Sequence, residues 1–197
     1  GEPIAGGWSY LGAGAVDPGD VAVIFGDGSG AVVLEASPDP NRGILSVHTH
    51  AEGKHAKKLW VEAPGSSFWP QRITHQMLDE GRQFPVMEGR FVFKHAVQRM
   101  PEVIEEALAH NGCKLADVNL FLFHQANLRI NEFVAQKLQI PPERTYNNIQ
   151  KYGNCSAASI PMLLHECLQA GRVHEGDLIA MAGFGSGFTW GSALIRW

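Results

Sequence analysis

Apolar positions along this chain follow two rhythms, one of strands and one of helices. "DVAVIFG" (20–26) and "GAVVLEAS" (30–37) are short apolar runs on either side of "GDGSG", a pattern that predicts two strands joined by a tight turn. "GILSVHTH" (43–50) alternates like a third strand. From about Val86 to Asn111 a helical stripe runs through Phe93, Val97, Met100, Ile104 and Leu108, closed by Asn111-Gly112 and expected to kink or join at Pro101. "VNLFLF" (118–123) reads as a buried strand. Ile130, Val134 and Leu138 mark one face of the helix that follows it, from Asn127 to Leu138. "TYNNIQKYGN" predicts a short strand and a polar turn. "SAASIPMLLHECLQAG" predicts a helix with its stripe at Ile160, Leu163, Leu164, Cys167 and Leu168, provided that Pro161 falls in the first turn. "DLIAMAGF" and "FTWGSALIRW" are two last strands around a glycine-rich corner. The order βββαβαβαββ predicts an α/β domain, a mixed β-sheet with helices packed on it. Residues 51–85, with Pro64, Pro70 and Pro85, read as a long irregular excursion, and residues 1–19 as a glycine-rich lead segment.

Composition narrows the classes. At 197 residues, 45% apolar and 18% charged, the chain fits one globular domain. A net charge of −4 gives no global basic field for nucleic acid, so an anionic partner would have to meet a local basic patch. No apolar run has the length of a membrane span, and "GEPIAGGWSY" lacks the pattern of a signal peptide. The first residue is not Met, which points to a chain that is processed, tagged or cut from a longer one. Cys113, Cys155 and Cys167 have no CxxC spacing. That argues against a disulfide framework or a zinc site and fits a reducing, cytoplasmic location.

Several constellations are candidates for chemistry. The glycines of "FGDGSGAVVL" have G-x-G-x-G spacing and precede a strand, whereas a dinucleotide fingerprint opens a helix; a hairpin is the better reading. His48 and His50 share a strand face without an apparent third ligand, so no metal is expected. Cys155, in "YGNCSAAS", lies near a helix N-terminus, where a thiolate would be stabilised, but Ala157 and Ala158 beside it favour a buried, inert thiol. His124, Asn127 and Asn154 lie at two strand-to-helix junctions, "FHQAN" and "YGNCSAAS". Junctions at one end of a sheet converge on a common crevice. There a histidine and an amide would both donate to one developing oxyanion; ordinary capping and turn roles are the alternative.

The motifs "IFGDGSGAVVL", "VFKHAV", "HQANLRI", "YGNCSAASIP" and "GFGSGFTWGSALIRW", in that order, resemble the C-terminal half of a β-ketoacyl-acyl-carrier-protein synthase III, a thiolase-fold condensing enzyme. The likeness runs from about Asp20 to Trp197, so the resemblance implies a C-terminal thiolase-like domain over 20–197, one half of a duplicated fold. It also implies that the nucleophilic cysteine belongs to an N-terminal half outside these residues. The implied reaction is the decarboxylative condensation of acyl-CoA with malonyl-carrier protein, in fatty acid or polyketide initiation, without a further cofactor. By resemblance His124 and Asn154 are the oxyanion donors and the Ser186 backbone N–H serves the acyl oxyanion. Asn127, Gly89 and Phe93 meet the pantetheine arm, and Arg129, Lys94 and Lys137 dock the acidic carrier protein. The implied partners are that carrier protein, the N-terminal half and a second copy in a homodimer, with no nucleic acid and no membrane. Cys155 stands where threonine is common, and Ser186 where glycine is. Two other readings remain: a non-catalytic scaffold or heterodimer subunit, and an acyltransferase without decarboxylation in which the histidine is a base.

Overall fold

A computed structural model describes residues 24–197. The lead segment 1–19 and the start of the predicted strand 20–26 lie outside the described residues. Among the described residues there are six strands: β1 (Gly43–Ala51), β2 (Leu59–Val61), β3 (Pro85–Met87), β4 (Leu120–Phe123), β5 (Leu178–Gly185) and β6 (Thr189–Arg196). Five α-helices accompany them: α1 (His75–Asp79), α2 (Gly89–His110), α3 (Leu128–Lys137), α4 (Ile149–Tyr152) and α5 (Ser159–Gln169). The main sheet has the order β1-β6-β5-β4, antiparallel except for the parallel β4–β5 pair, and β2 and β3 form a separate antiparallel pair.

The period-2 alternation of β4 sends its side chains to two cores. Phe121 and Phe123 join Met100, Ile104, Ile130 and Val134 beneath α2 and α3, whereas Leu120 and Leu122 join Leu163, Leu164 and Cys167 of α5. All four β4 residues are buried, as a strand covered on both faces requires. The stripe Ile130, Val134 and Leu138 is buried as predicted. Pro161 is the third residue of α5, inside the first turn. Gly112, at φ +63, ends α2 through bonds back to its last turn.

Five expectations are corrected. Residues 30–37 form no strand, and Val32, Val33 and Leu34 are exposed. "GDGSG" makes no hairpin. Its glycines instead let the backbone lie against the 152–162 segment: a Cβ on Gly26 would fall 1.8 Å from the Tyr152 carbonyl oxygen, and one on Gly30 would fall 2.4 Å from Pro161 Cγ. The helix from Val86 starts later, because Val86 pairs with Trp60 in the β2–β3 ladder. Its buried face begins at Val92 and Ala96, with Phe93 and Val97 only half-buried. Pro101 neither ends nor divides α2; the carbonyl of Val97, which lacks its helical donor, is approached by Lys137 Nζ of α3 at 3.5 Å. Finally, the short strand expected in "TYNN" is reduced to one bridge, Thr145 to Phe121, and the polar turn after it contains α4.

The junction after β4 is pinned by Gln125, whose side chain is fully buried. Its Oε1 accepts from the backbone N–H groups of Asn148 (3.0 Å) and Ile149 (3.1 Å), and its Nε2 donates to the Phe123 carbonyl and to Asn147 Oδ1. Gln125→Leu would keep the volume and leave the Asn148 and Ile149 N–H groups, one buried and one part-buried, without their acceptor. The expected loss is roughly 2–4 kcal/mol of stability, read from urea unfolding. An unchanged midpoint would show that the amide carries none of this.

Candidate active site

The ends of β4 and β5, the start of α2 and the loops before α3 and α5 surround a cavity of about 1010 Å³. His124 and Asn154 both line it, and so do Gly89, Phe93, Asn127 and Ser186. His124 continues β4, with its N–H donated to the Ala182 carbonyl at 2.8 Å. Gly183 lies alongside, where an added Cβ would come within 3.3 Å of His124 Cβ. Ser159 Oγ is 2.7 Å from His124 Nδ1. Among the described residues Nε2 has no partner. Burial pushes the His124 pKa below the ordinary imidazole value, so the ring is neutral at pH 7.

Asn154 is held by both ends of its backbone. Its N–H donates to the Ile24 carbonyl at 2.8 Å and its carbonyl accepts from Gly26 N–H at 3.1 Å, in a parallel bridge to Phe25. Its Oδ1 accepts from Ser156 N–H at 2.9 Å, which fixes the amide plane and leaves Nδ2 without a partner among the described residues. The two junctions therefore bring into one cavity lining a histidine and an asparagine, each with one side-chain nitrogen unpartnered among the described residues.

The other predicted residues divide. Asn127 caps α3, its Oδ1 accepting from Arg129 N–H at 2.9 Å, so it has the capping role as well as a place in the cavity wall. Gly89 opens α2, and a Cβ there would meet nothing within 4 Å. Phe93 packs edge-on against Phe133 at 6.0 Å between ring centres. Ser186 is in the turn between β5 and β6, and its φ is not positive, so a residue with a Cβ fits the corner without strain. Arg129, Lys94 and Lys137 are exposed and outside the cavity lining. Among the described residues Arg129 makes no ion pair with Glu132.

His50, on the cavity wall, and His48, outside it, share one acceptor, Glu106, at 2.6 and 3.1 Å. Glu52, His55 and His95 bring ligand atoms within 4.8 Å of one another, a grouping with no sequence spacing to announce it. The Glu52 carboxylate is already met by Lys54 and Arg99, and the Lys54 ammonium beside it holds its pKa below the usual range. A divalent cation would have to displace these charges. Cys155 is buried against Gly28 and the Asp27 carbonyl, and burial raises its pKa, the direction of an unreactive thiol.

Residues 108–197 match the family model described as 3-oxoacyl-[acyl-carrier-protein (ACP)] synthase III C terminal. Residues 12–53 match the model described as 3-oxoacyl-[acyl-carrier-protein (ACP)] synthase III, a stretch that includes the end of the lead segment. A β-ketoacyl-[acyl-carrier-protein] synthase III of Roseiflexus castenholzii is 44% identical over 178 residues, which cover 90% of this chain and 53% of that protein. The crystal structure of the Aquifex aeolicus synthase III is 41% identical with a TM-score of 0.70, covering 82% of this chain and 46% of that one. The Thermus thermophilus synthase III structure is 35% identical with a TM-score of 0.75, covering 90% and 53%. The chain thus spans about half the length of the relatives it matches, and its α/β architecture is thiolase-like.

Sequence reasoning missed Gln125 and Ser159, which support the site. The signal for Gln125 was its place two residues past a buried strand, where an amide has backbone groups to satisfy. Ser159 had no local signal, because its partner is 35 positions away. The neutral state of His124 has a measurable consequence. Between its lowered folded pKa and about 6.5 the unfolded chain binds the extra proton, so stability present above about 6.5 is lost as pH falls through the folded value. The melting temperature of His124→Gln should therefore fall less steeply between pH 7 and 5 than that of the wild type. Identical slopes would contradict the buried neutral ring.

Proposed function

The chain belongs to the 3-oxoacyl-[acyl-carrier-protein] synthase III family, and on that premise we propose that it supplies the oxyanion-stabilising half of a condensing site. The supporting observation is that His124 and Asn154 line one cavity with Nε2 and Nδ2 unpaired among the described residues. In the proposed reaction an acyl group rests as a thioester on a cysteine outside this chain. Malonyl-carrier protein loses CO₂, and the bond electrons pass to an enolate whose charge sits on the thioester oxygen. His124 Nε2–H and Asn154 Nδ2–H donate to that oxygen. The enolate carbon then attacks the acyl carbon, the thiolate leaves, and a β-ketoacyl-carrier protein results. A ring whose pKa burial has lowered is a weak base and a good neutral donor, which favours this reading over an acyltransferase in which histidine takes a proton.

The proposed substrates are acyl-CoA and malonyl-carrier protein in fatty acid initiation. The pantetheine arm would pass Asn127, Gly89 and Phe93, and exposed Arg129, Lys94 and Lys137 would meet the acidic carrier protein. The Ser186 N–H would serve the acyl oxyanion. The proposed assembly includes the half that carries the nucleophile and a second copy of the enzyme. No helix among the described residues is long and apolar enough to cross a membrane, and a cytoplasmic location is part of the proposal.

Two outcomes test this. In enzyme assembled from this chain and the cysteine-bearing half, His124→Ala or Asn154→Ala should each lower the rate of malonyl decarboxylation by about 10²–10³. Acyl transfer to the cysteine should survive in both. A rate unchanged by either substitution would remove the oxyanion assignment and favour a scaffold. The 197-residue chain incubated with radiolabelled acetyl-CoA should form no stoichiometric covalent adduct. An adduct abolished by Cys155→Ala would make Cys155 the nucleophile instead.

A further inference from the structure

Ser159 is the first residue of α5 and only 3% exposed, yet its hydroxyl does not turn back to its own helix. Its Oγ lies 3.2 Å from Gln125 N and 2.7 Å from His124 Nδ1, bridging α5 to the junction after β4. A serine hydroxyl has one proton and two acceptor positions. The Gln125 amide can only donate, so it takes one acceptor position. If His124 carried its proton on Nδ1, Oγ would receive two N–H groups and its own proton would need an acceptor. Among the described residues Oγ has no third partner, and a buried hydroxyl proton without an acceptor is disfavoured. If the hydroxyl instead donates to Nδ1, every group is satisfied. The ring proton then sits on Nε2, the nitrogen left free in a residue that lines the cavity.

Building on the donor reading of His124, we infer that Ser159 is a positioning residue: its hydroxyl donates to Nδ1 and so fixes the tautomer that carries a proton on Nε2, facing the cavity. Ser159 touches no reacting atom; it acts through the ring. The Gln125 N–H aims the hydroxyl by occupying the lone pair opposite, and the Ala182 carbonyl with Gly183 fixes the root of the ring. The arrangement follows the general pattern in which the bond made by one imidazole nitrogen decides the state of the other.

The tautomer can be read directly. In the 197-residue chain with ¹⁵N-labelled histidine, long-range ¹H–¹⁵N correlation at neutral pH reports which ring nitrogen is protonated, the His124 signals being assigned by their loss in His124→Gln. The expected result is a protonated Nε2 and an unprotonated Nδ1 displaced toward the hydrogen-bonded range. In Ser159→Ala the Nδ1 signal should move to the value of a free ring nitrogen, and Ser159→Thr, which keeps the hydroxyl, should restore it. In the assembled enzyme Ser159→Ala should lower kcat by about 10–100-fold with little change in KM. A wild-type His124 protonated on Nδ1 would overturn the inference, and needs no variant to fold. So would an Nδ1 signal that Ser159→Ala leaves in place. The tautomer spectrum and the activity of His124→Ala fail independently. The inferred spectrum with a fully active His124→Ala would sink the oxyanion reading and leave the Ser159 assignment standing.

Discussion

The side-chain amide of Gln125 has no access to water, and all its hydrogen-bonding capacity is spent on backbone and on one asparagine. An amide in that position must be satisfied within the protein or it destabilises the fold. Satisfying it ties the end of β4 to residues 147–149, the segment that leads through α4 to Asn154. The backbone N–H of the same residue meets Ser159 at the head of α5. The two junctions that hold His124 and Asn154 are therefore joined through one buried residue, and the separation of the two donors depends on it.

What the sequence made legible was what a single element decides for itself. The 3.6-residue spacing of Ile130, Val134 and Leu138 needs only one covering surface, and all three are buried. Continuous burial of β4 follows from its unbroken apolar run, and Pro161 is tolerated where the helix has no donor to lose. The misread segments depend on distant partners. "GAVVLEAS" has strand composition, but no described strand pairs with it. The glycines of "GDGSG" answer to the Tyr152 carbonyl and Pro161, more than 120 positions away, so local turn rules led to a hairpin. Val86 lost its helix to a ladder with Trp60.

The candidate site divides along the same line. His124 was visible as a polar residue at the lip of a buried strand, and Asn154, which follows α4, through the pattern of small and polar residues in "YGNCSAAS" ahead of a helix. The groups that orient them were not: Ser156 N–H on the Asn154 amide, Ser159 on the His124 ring, and the Ile24 and Gly26 backbone on the Asn154 peptide. Burial supplies the chemistry from that frame. It keeps the imidazole uncharged and the Cys155 thiol protonated, and so separates a group suited to donating a hydrogen bond from one unsuited to attack.

Lys137 approaches the backbone carbonyl that Pro101 leaves bare on α2, while its helix also carries Arg129. One cation thus has two employers, a proposed docking face and the seam between two helices. Reversing its charge would set a carboxylate against a bare carbonyl oxygen and loosen that seam, so a weakened complex could reflect a shifted helix as readily as a lost attraction. Arg129, whose side chain meets no acid among the described residues, separates the two effects. A charge scan across this surface is interpretable only when the lysine that also stitches the helices is scored apart from the arginine that does not.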